Sequence, residues 1–113
     1  MFSFIKDKIQ GKVPSGKKRS SKWSAVRKAF LKDHPECVVC GGRRPEIHHV
    51  KPFHLFPELE LDENNLIALC ESGSNGIVCH RAIGHLGSYR SWNESVLKDV
   101  VEWRSKLQNR PKE

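Results

Sequence analysis

Four cysteines constrain the fold of this chain more than any other feature, and they are Cys37, Cys40, Cys70 and Cys79. The first two are two residues apart and are followed by two glycines, a spacing that lets two thiolates reach one tetrahedral ion. The second pair is separated by eight residues, a wider gap than usual. Together the four predict a closed structural Zn²⁺ site with no open position for catalysis.

Two other interpretations of the cysteines are weaker. Four unrelated buried cysteines are disfavoured because one pair already has the spacing of metal ligands. A ligand set in which His80 replaces a cysteine is the main competitor, but His80 fits a second site better. A zinc staple also suits a chain of 113 residues of which only 37% are hydrophobic, since such a chain buries a modest core.

The same cysteines indicate a compartment. No apolar run approaches the length of a membrane span, so no membrane partner is expected. The N-terminal MFSFIKDKIQ is interrupted by charges and lacks the apolar stretch of a signal peptide. We therefore expect a reducing cytoplasm, of a bacterium or a phage-infected host, where cysteine clusters bind metals.

Positive charge is concentrated at the N-terminus. Residues 1–33 carry ten Lys/Arg against two acidic residues, a net +8, whereas residues 34–113 carry ten against eleven, a net −1. We interpret residues 1–19 as a basic, flexible arm for a nucleic acid backbone, although a solvated tail fits the charge equally well. Residues 20–110 form the expected single domain. The candidate DNA contacts are Lys17, Lys18, Arg19, Lys22, Arg43 and Arg44.

Hydrophobic periodicity predicts a small α+β protein with a helix at each end. The first helix begins near Ser21, a candidate N-cap. IHHV and NLIALC predict a hairpin, and a further helix starts near Cys79. The last helix has Asn93 as its candidate cap, and its predicted apolar stripe is Val96, Leu97, Val100, Trp103 (or Val101) and Leu107.

The stretch EIHHVKP places His48 and His49 side by side, and His49 lies three residues before Pro52. Neighbouring residues on a strand point to opposite faces, so the two have different roles. The ordered elements CxxC, HHVxP, NNLxxLC and CH, in residues 35–86, resemble the HNH nucleases, the ββα-metal family. The flanks KWSAVRKAFLKDHPEC and GHLGSYRSWN are similar to small stand-alone phage HNH proteins.

This resemblance implies a metal-dependent endodeoxyribonuclease with a small ββα-metal core. His49 matches the general base, His48 and His80 match the ligands of one catalytic divalent ion, and Asn65 matches the middle Asn that holds the loop. Adjacent positions can serve both roles only if the strand is twisted or bulged there. The ion is expected to be Mg²⁺, Mn²⁺ or Ni²⁺, and a softer ion than magnesium suits a site without a carboxylate. His85 could be a third ligand, but five residues from His80 a structural role is favoured.

A rival hypothesis from another class is a non-catalytic, zinc-stabilised DNA-binding or assembly module. The cysteines and the basic arm fit both hypotheses, whereas the set His48, His49, Asn65 and His80 fits only the nuclease. DNA is the expected partner, and the phage resemblance suggests packaging proteins such as the terminase. The sequence leaves open the DNA site, nicking against double-strand cleavage, and the oligomeric state.

Overall fold

A computed structural model describes Gly16, residues 18–71 and residues 78–109. Lys17, most of the basic arm and residue 110 lie outside this range. The chain is a small α+β protein, as expected. Its elements are helix α1 (Trp23–Asp33), strands β1 (Pro45–His49) and β2 (Leu66–Cys70), a π-type helical turn (His80–Gly84) and helix α2 (Val96–Gln108). Two short 3₁₀ turns, Pro57–Leu59 and Glu63–Asn65, lie in the loop between the strands.

The two strands form an antiparallel hairpin with an uninterrupted register. Pro45 pairs with Cys70 at one end, and His49 pairs with Leu66 at the other. The register therefore continues to His49 without a bulge. One end of the hairpin carries a cysteine, and the other carries the base candidate beside the turn that contains Asn65.

The sheet is covered on both faces. On one face, Phe30 of α1 packs with Ile47, Leu66 and Ala68. The other cluster combines the cysteines with Leu69 of β2 and with apolar residues of the π turn and α2, namely Ile83, Val96 and Val100. The second cluster holds the π turn against the hairpin, and this contact positions the histidine site described below.

Both helices differ from the sequence prediction at their first residues. The N-cap of α1 is Lys22 rather than Ser21, and its side chain makes no capping bond. The N-cap of α2 is Ser95 rather than Asn93. Asn93 still organises this start, since its Oδ1 accepts the backbone N–H of Ser95 and its Nδ2 donates to the carbonyl of Ile83. A buried side chain that ties two elements together has replaced a simple cap.

The predicted apolar stripe of α2 is only partly buried. Val96 and Val100 are in the core and Leu107 packs against it. Leu97 and Val101 are 52% and 67% exposed, and Trp103 is 44% exposed. The prediction was wrong for these three because, among the described residues, α2 packs on the π turn and the cysteine-containing cluster through one narrow face only. No helix in the described part of the chain is long and apolar enough to span a membrane.

Candidate metal centres and the histidine pocket

The first candidate metal centre is the cysteine cluster. One sulfur from each of the four cysteines lies within 4.8 Å of the others, and none of them forms a disulfide. Gly41, with φ of +75°, allows the tight knuckle after Cys37, in which its N–H donates to the Cys37 carbonyl over 2.9 Å. The hairpin adds Cys70 from the end of β2, and Cys79 precedes the π turn. The arrangement has the donors of a structural zinc site.

The chemistry of the four sulfurs favours a cation between them. Cys37, Cys70 and Cys79 are buried, and the Cys40 and Cys70 sulfurs are 3.7 Å apart. A hydrogen bond from Cys79 lowers the pKa of the Cys37 thiol to about 4, whereas burial raises that of Cys40 to about 11. Without a cation, several thiolates packed this closely would repel one another. A bound Zn²⁺ allows all four to be thiolates.

The second candidate metal centre consists of His48, His80 and His85. One ring nitrogen from each lies within 4.8 Å of the other two. The ring centroids of His48 lie 5.2 Å from His80 and 4.8 Å from His85. The structure therefore brings together both predicted ligands of the catalytic ion, His48 and His80, and adds His85, for which the sequence favours a structural role.

The π turn explains how His85 joins His80. An α-helical turn pairs residues three or four apart, so a spacing of five would point the rings apart. Here the N–H of His85 donates to the carbonyl of His80 over 3.1 Å, a hydrogen bond between residues five apart. The wider turn brings the two rings together in a tilted arrangement, with 4.8 Å between centroids. A sequence search for i, i+4 pairs misses this geometry.

Hydrogen bonds fix which nitrogens of His80 and His85 face each other. Nδ1 of His85 donates to the carbonyl of Ser91 over 2.7 Å, because a carbonyl can only accept. Nδ1 of His80 donates to the Glu71 carboxylate over 2.7 Å. The two Nε2 atoms are then 3.2 Å apart. Two imidazoles bound to one ion, each at about 2.0–2.1 Å, have nitrogens separated by about 3.0–3.4 Å. The separation of the two Nε2 atoms therefore suits a cation that both nitrogens bind.

His48 provides the strongest indication of a ligand. It is 2% exposed, and neither ring nitrogen has a hydrogen-bond partner among the described residues. Leaving a buried polar group unsatisfied costs about 1–3 kcal/mol. Burial lowers the pKa of His48 to about 3, with smaller contributions from His85 and His80, so the ring is neutral near pH 7. A neutral, buried, unpaired imidazole beside two other imidazoles fits a divalent transition metal.

Gly84 makes this packing possible and gives a prediction. A Cβ at Gly84 would lie 2.9 Å from Nδ1 of His48 and 3.2 Å from Cδ1 of Leu69. We expect Gly84→Ala to displace the His48 ring, weaken Ni²⁺ binding at the histidine cluster, and destabilise the fold by about 1–3 kcal/mol. Calorimetric Ni²⁺ titration and thermal unfolding measure the two effects. Ala82→Gly in the same turn is the control and should keep Ni²⁺ affinity. Unchanged affinity in Gly84→Ala would contradict the packing role.

His49 lies on the other face of β1 from His48. Its Nε2 donates to the carbonyl of Glu60 over 3.0 Å, which leaves Nδ1 as the unprotonated nitrogen. Its ring packs against the Trp23 ring in a tilted arrangement, with 4.7 Å between centroids. Burial lowers the pKa of His49, so the neutral form is favoured near pH 7. The ring is thus held in one tautomer with one nitrogen able to accept a proton.

One cavity borders both faces of the end of β1. It has a volume of about 290 Å³ and is lined by His48, His49, His80 and His85, together with His54, Arg19, Phe53, Tyr89, Arg90 and other residues. His48 and His49 point to opposite faces of β1, yet both reach this cavity without a bulge in the strand. They do so because β1 ends at His49 and the cavity extends around that end.

Asn65 and its neighbour Asn64 differ sharply in environment. Asn65 is 5% exposed, and its Oδ1 accepts the N–H of Lys51 over 2.8 Å. Its Nδ2 donates to the carbonyls of Lys51 and Leu59. Asn64 is exposed. The Asn65 side chain therefore ties the segment after His49 to the loop that carries Glu60.

The predicted DNA contacts separate into two groups. Arg19 lines the histidine cavity, lies 3.7 Å from the Glu60 carboxylate, and sits over the Phe53 ring at 4.4 Å. The other described candidates, Lys18, Lys22, Arg43 and Arg44, are exposed and do not line this cavity. Arg43 lies 3.9 Å from Glu36, and Lys17 is outside the described residues.

Sequence reasoning missed Glu71 and Tyr89. Glu71 accepts the hydrogen bond of His80, and the Tyr89 hydroxyl donates to both Glu71 oxygens over 2.7 and 2.9 Å. For Glu71, the only signal in the sequence was that an acidic residue directly follows Cys70, and this signal is weak. Nothing in the spacing pointed to the second, because the loop path after the π turn decides its position.

Comparison with known protein families agrees with this geometry. The family model described as HNH endonuclease matches residues 37–85, from the first cysteine of the candidate zinc site to the last clustered histidine. This segment, which is under half of the chain, therefore carries the HNH endonuclease pattern, and HNH proteins are generally nucleases. No curated protein and no solved structure was found to match the chain.

Proposed function

We propose that the protein is a metal-dependent endonuclease that hydrolyses DNA phosphodiester bonds with one catalytic divalent ion. The observation that carries this proposal is the convergence of His48, His80 and His85 in the cavity that His49 also lines. The HNH match of residues 37–85 supports a nuclease-type function for the same residues. A structural zinc site alone would explain none of the four histidines.

The three clustered histidines are proposed to hold the divalent ion. Bound there, a Mg²⁺, Mn²⁺ or Ni²⁺ ion would stabilise the charge on the phosphate and on the leaving oxygen. The residues fit such an ion, since His48 has no other partner for its nitrogens and the Nε2 atoms of His80 and His85 face each other. Three imidazoles favour Mn²⁺ or Ni²⁺ over Mg²⁺, which prefers oxygen ligands.

His49 is proposed to be the general base that takes a proton from the attacking water. Its Nδ1 is the accepting atom, because Nε2 is committed to the Glu60 carbonyl. The contact with the Trp23 ring restricts rotation of the imidazole, so Nδ1 keeps its direction. A neutral imidazole is the competent form, and burial favours it.

Asn65 and Arg19 are proposed to support the base and the substrate respectively. Asn65 holds Lys51 and the loop of Leu59, on either side of the His49–Glu60 contact. Arg19 is half exposed in the cavity and offers a guanidinium to a phosphate oxygen. The exposed residues Lys18, Lys22, Arg43 and Arg44, with Lys17 of the arm, are proposed to contact the DNA backbone more distantly.

One assay separates the nuclease from a non-catalytic zinc module. Supercoiled plasmid is incubated with the zinc-loaded protein and Mg²⁺, Mn²⁺ or Ni²⁺, with EDTA as the control. The nuclease predicts conversion to nicked or linear DNA that depends on the added ion. DNA binding without cleavage in any of the three ions would favour the zinc-stabilised DNA-binding or assembly module.

The cellular setting is also a proposal. We infer a bacterial or phage-infected host cytoplasm, which suits four cysteines without a disulfide. A role in phage DNA processing or packaging, beside the terminase, rests on the resemblance of the flanking segments to small phage HNH proteins. Co-purification with a terminase large subunit from the same genome would test it.

A further inference from the structure

We propose that Glu71 and Tyr89 form a positioning pair that supplies negative charge and orientation to the metal site through His80. This inference rests on the proposed function, because it assumes that His80 binds the catalytic ion. The hydrogen bonds that support it form a chain, from the Tyr89 hydroxyl to the Glu71 carboxylate and from Nδ1 of His80 to the same carboxylate.

The pair provides something that the three ligands lack. His48, His80 and His85 are neutral as ligands, so they contribute no negative charge toward a divalent cation. The Glu71 carboxylate, one imidazole ring away, makes His80 a more basic ligand and fixes the tautomer that has Nε2 directed at His85. Glu71 is not itself a ligand, but it supplies part of the negative charge that a directly bound carboxylate would provide.

Tyr89 holds the carboxylate in position. Glu71 is partly exposed, with 38% of its side chain accessible, so a single bond to His80 would leave it free to rotate into water. The Tyr89 hydroxyl contacts both carboxylate oxygens, which restricts that rotation. The Tyr89 ring also covers the cluster, with centroids 5.5 Å from His80 and 4.9 Å from His85.

The test measures Ni²⁺ binding by calorimetry on protein that retains one equivalent of zinc, so that activity is not the readout. Glu71→Ala is expected to raise the Ni²⁺ dissociation constant by about 10–100-fold, the usual effect of removing such a partner. Glu71→Gln retains an acceptor for His80 without the charge and should have an intermediate effect. Glu102→Gln, an equal charge change at an exposed carboxylate paired with Lys98, should leave the affinity unchanged.

A double-mutant cycle then tests the link between Tyr89 and Glu71. Tyr89→Phe removes only the hydroxyl and should weaken Ni²⁺ binding in the wild-type background. In the Glu71→Ala background the same change should have no further effect, because the hydroxyl acts through the carboxylate. Additive effects, or an unchanged affinity in Glu71→Ala, would overturn the positioning pair.

His80→Ala makes failure of this inference distinguishable from failure of the proposed function. If His80→Ala weakens Ni²⁺ binding while Glu71→Ala has no effect, the metal site stands and the positioning pair is wrong. If His80→Ala also leaves the affinity unchanged, the metal site itself is wrong, and the inference fails with it. Retained zinc and an unchanged circular dichroism spectrum show that each variant is folded.

Discussion

His49→Ala is expected to lower the rate of DNA cleavage by a factor of about 10²–10⁴, the usual contribution of a positioned general base. The variant should still bind Ni²⁺, because His49 lies on the other side of β1 from the clustered histidines. Added Mn²⁺ should therefore not restore cleavage. The measurements are single-turnover plasmid cleavage and calorimetric Ni²⁺ titration on the same preparation.

A ligand variant should fail differently from a base variant. His80→Ala removes one of three nitrogens and should weaken metal binding, so that excess Mn²⁺ restores part of the activity. His80 is a better choice than His48, because the His48 ring is buried and its loss would leave a cavity in the core.

For the base variant, His49→Gln is the matched control for the contact with Glu60. The Gln amide can donate to the Glu60 carbonyl but cannot accept the proton of the attacking water.

Two outcomes would contradict these roles. Cleavage by His49→Ala at the wild-type rate would remove the general base from the proposal. Cleavage by His80→Ala that is lost beyond rescue at any Mn²⁺ concentration, with Ni²⁺ affinity unchanged, would assign His80 a role other than metal binding. Thermal unfolding of each variant is needed beside the rates, since His49 also packs on Trp23.

Cys37→Ser is expected to abolish folding rather than leave a folded, inactive protein. Structural zinc sites contribute about 10–16 kcal/mol of apparent binding free energy. The whole stability of a domain is about 5–15 kcal/mol, so loss of the site is comparable with the entire free energy of folding. The effect should be large here because the cysteines form part of the larger core cluster, with Leu69, Val96 and Val100.

Metal analysis, circular dichroism and gel filtration measure this outcome. The wild-type protein should contain one zinc per chain and lose its structure when a strong chelator removes the ion. His80→Ala is the control, since it alters the other cluster and should keep its zinc and its fold. A purified wild-type protein without zinc, or a Cys37→Ser variant that unfolds at the wild-type temperature, would contradict the structural zinc site.

Several features could be predicted from local pattern alone. The hairpin was predicted from β-branched residues around the histidine pair and from NLIALC, and both strands form. The cysteine cluster was predicted from the spacing of Cys37 and Cys40, although the wide gap before Cys79 gave no direct support. In each case the signal is local, because strand propensity and the CxxC knuckle depend on residues a few positions apart.

The helix details could not be predicted from local pattern. Asn93 is a residue type that often caps helices, but its side-chain amide donates instead to the carbonyl of Ile83 in the π turn. Leu97 and Val101 satisfy the periodicity of a buried face, yet α2 has no described neighbour on that side. Which apolar residues become buried depends on what packs against a helix, and the helix sequence does not contain that information.

The sequence by itself determined which functional groups this protein carries: four thiols spaced to share one ion, a histidine pair at a strand end, and a basic N-terminal third. Only the tertiary structure decided the composition of the histidine cluster. A π turn, packed on the hairpin through Gly84, places His85 beside His80, and the loop beyond it brings Tyr89 to Glu71. Residue types and short spacings set which ligands are available, whereas ligand geometry depends on contacts between segments distant in sequence, and these follow from packing.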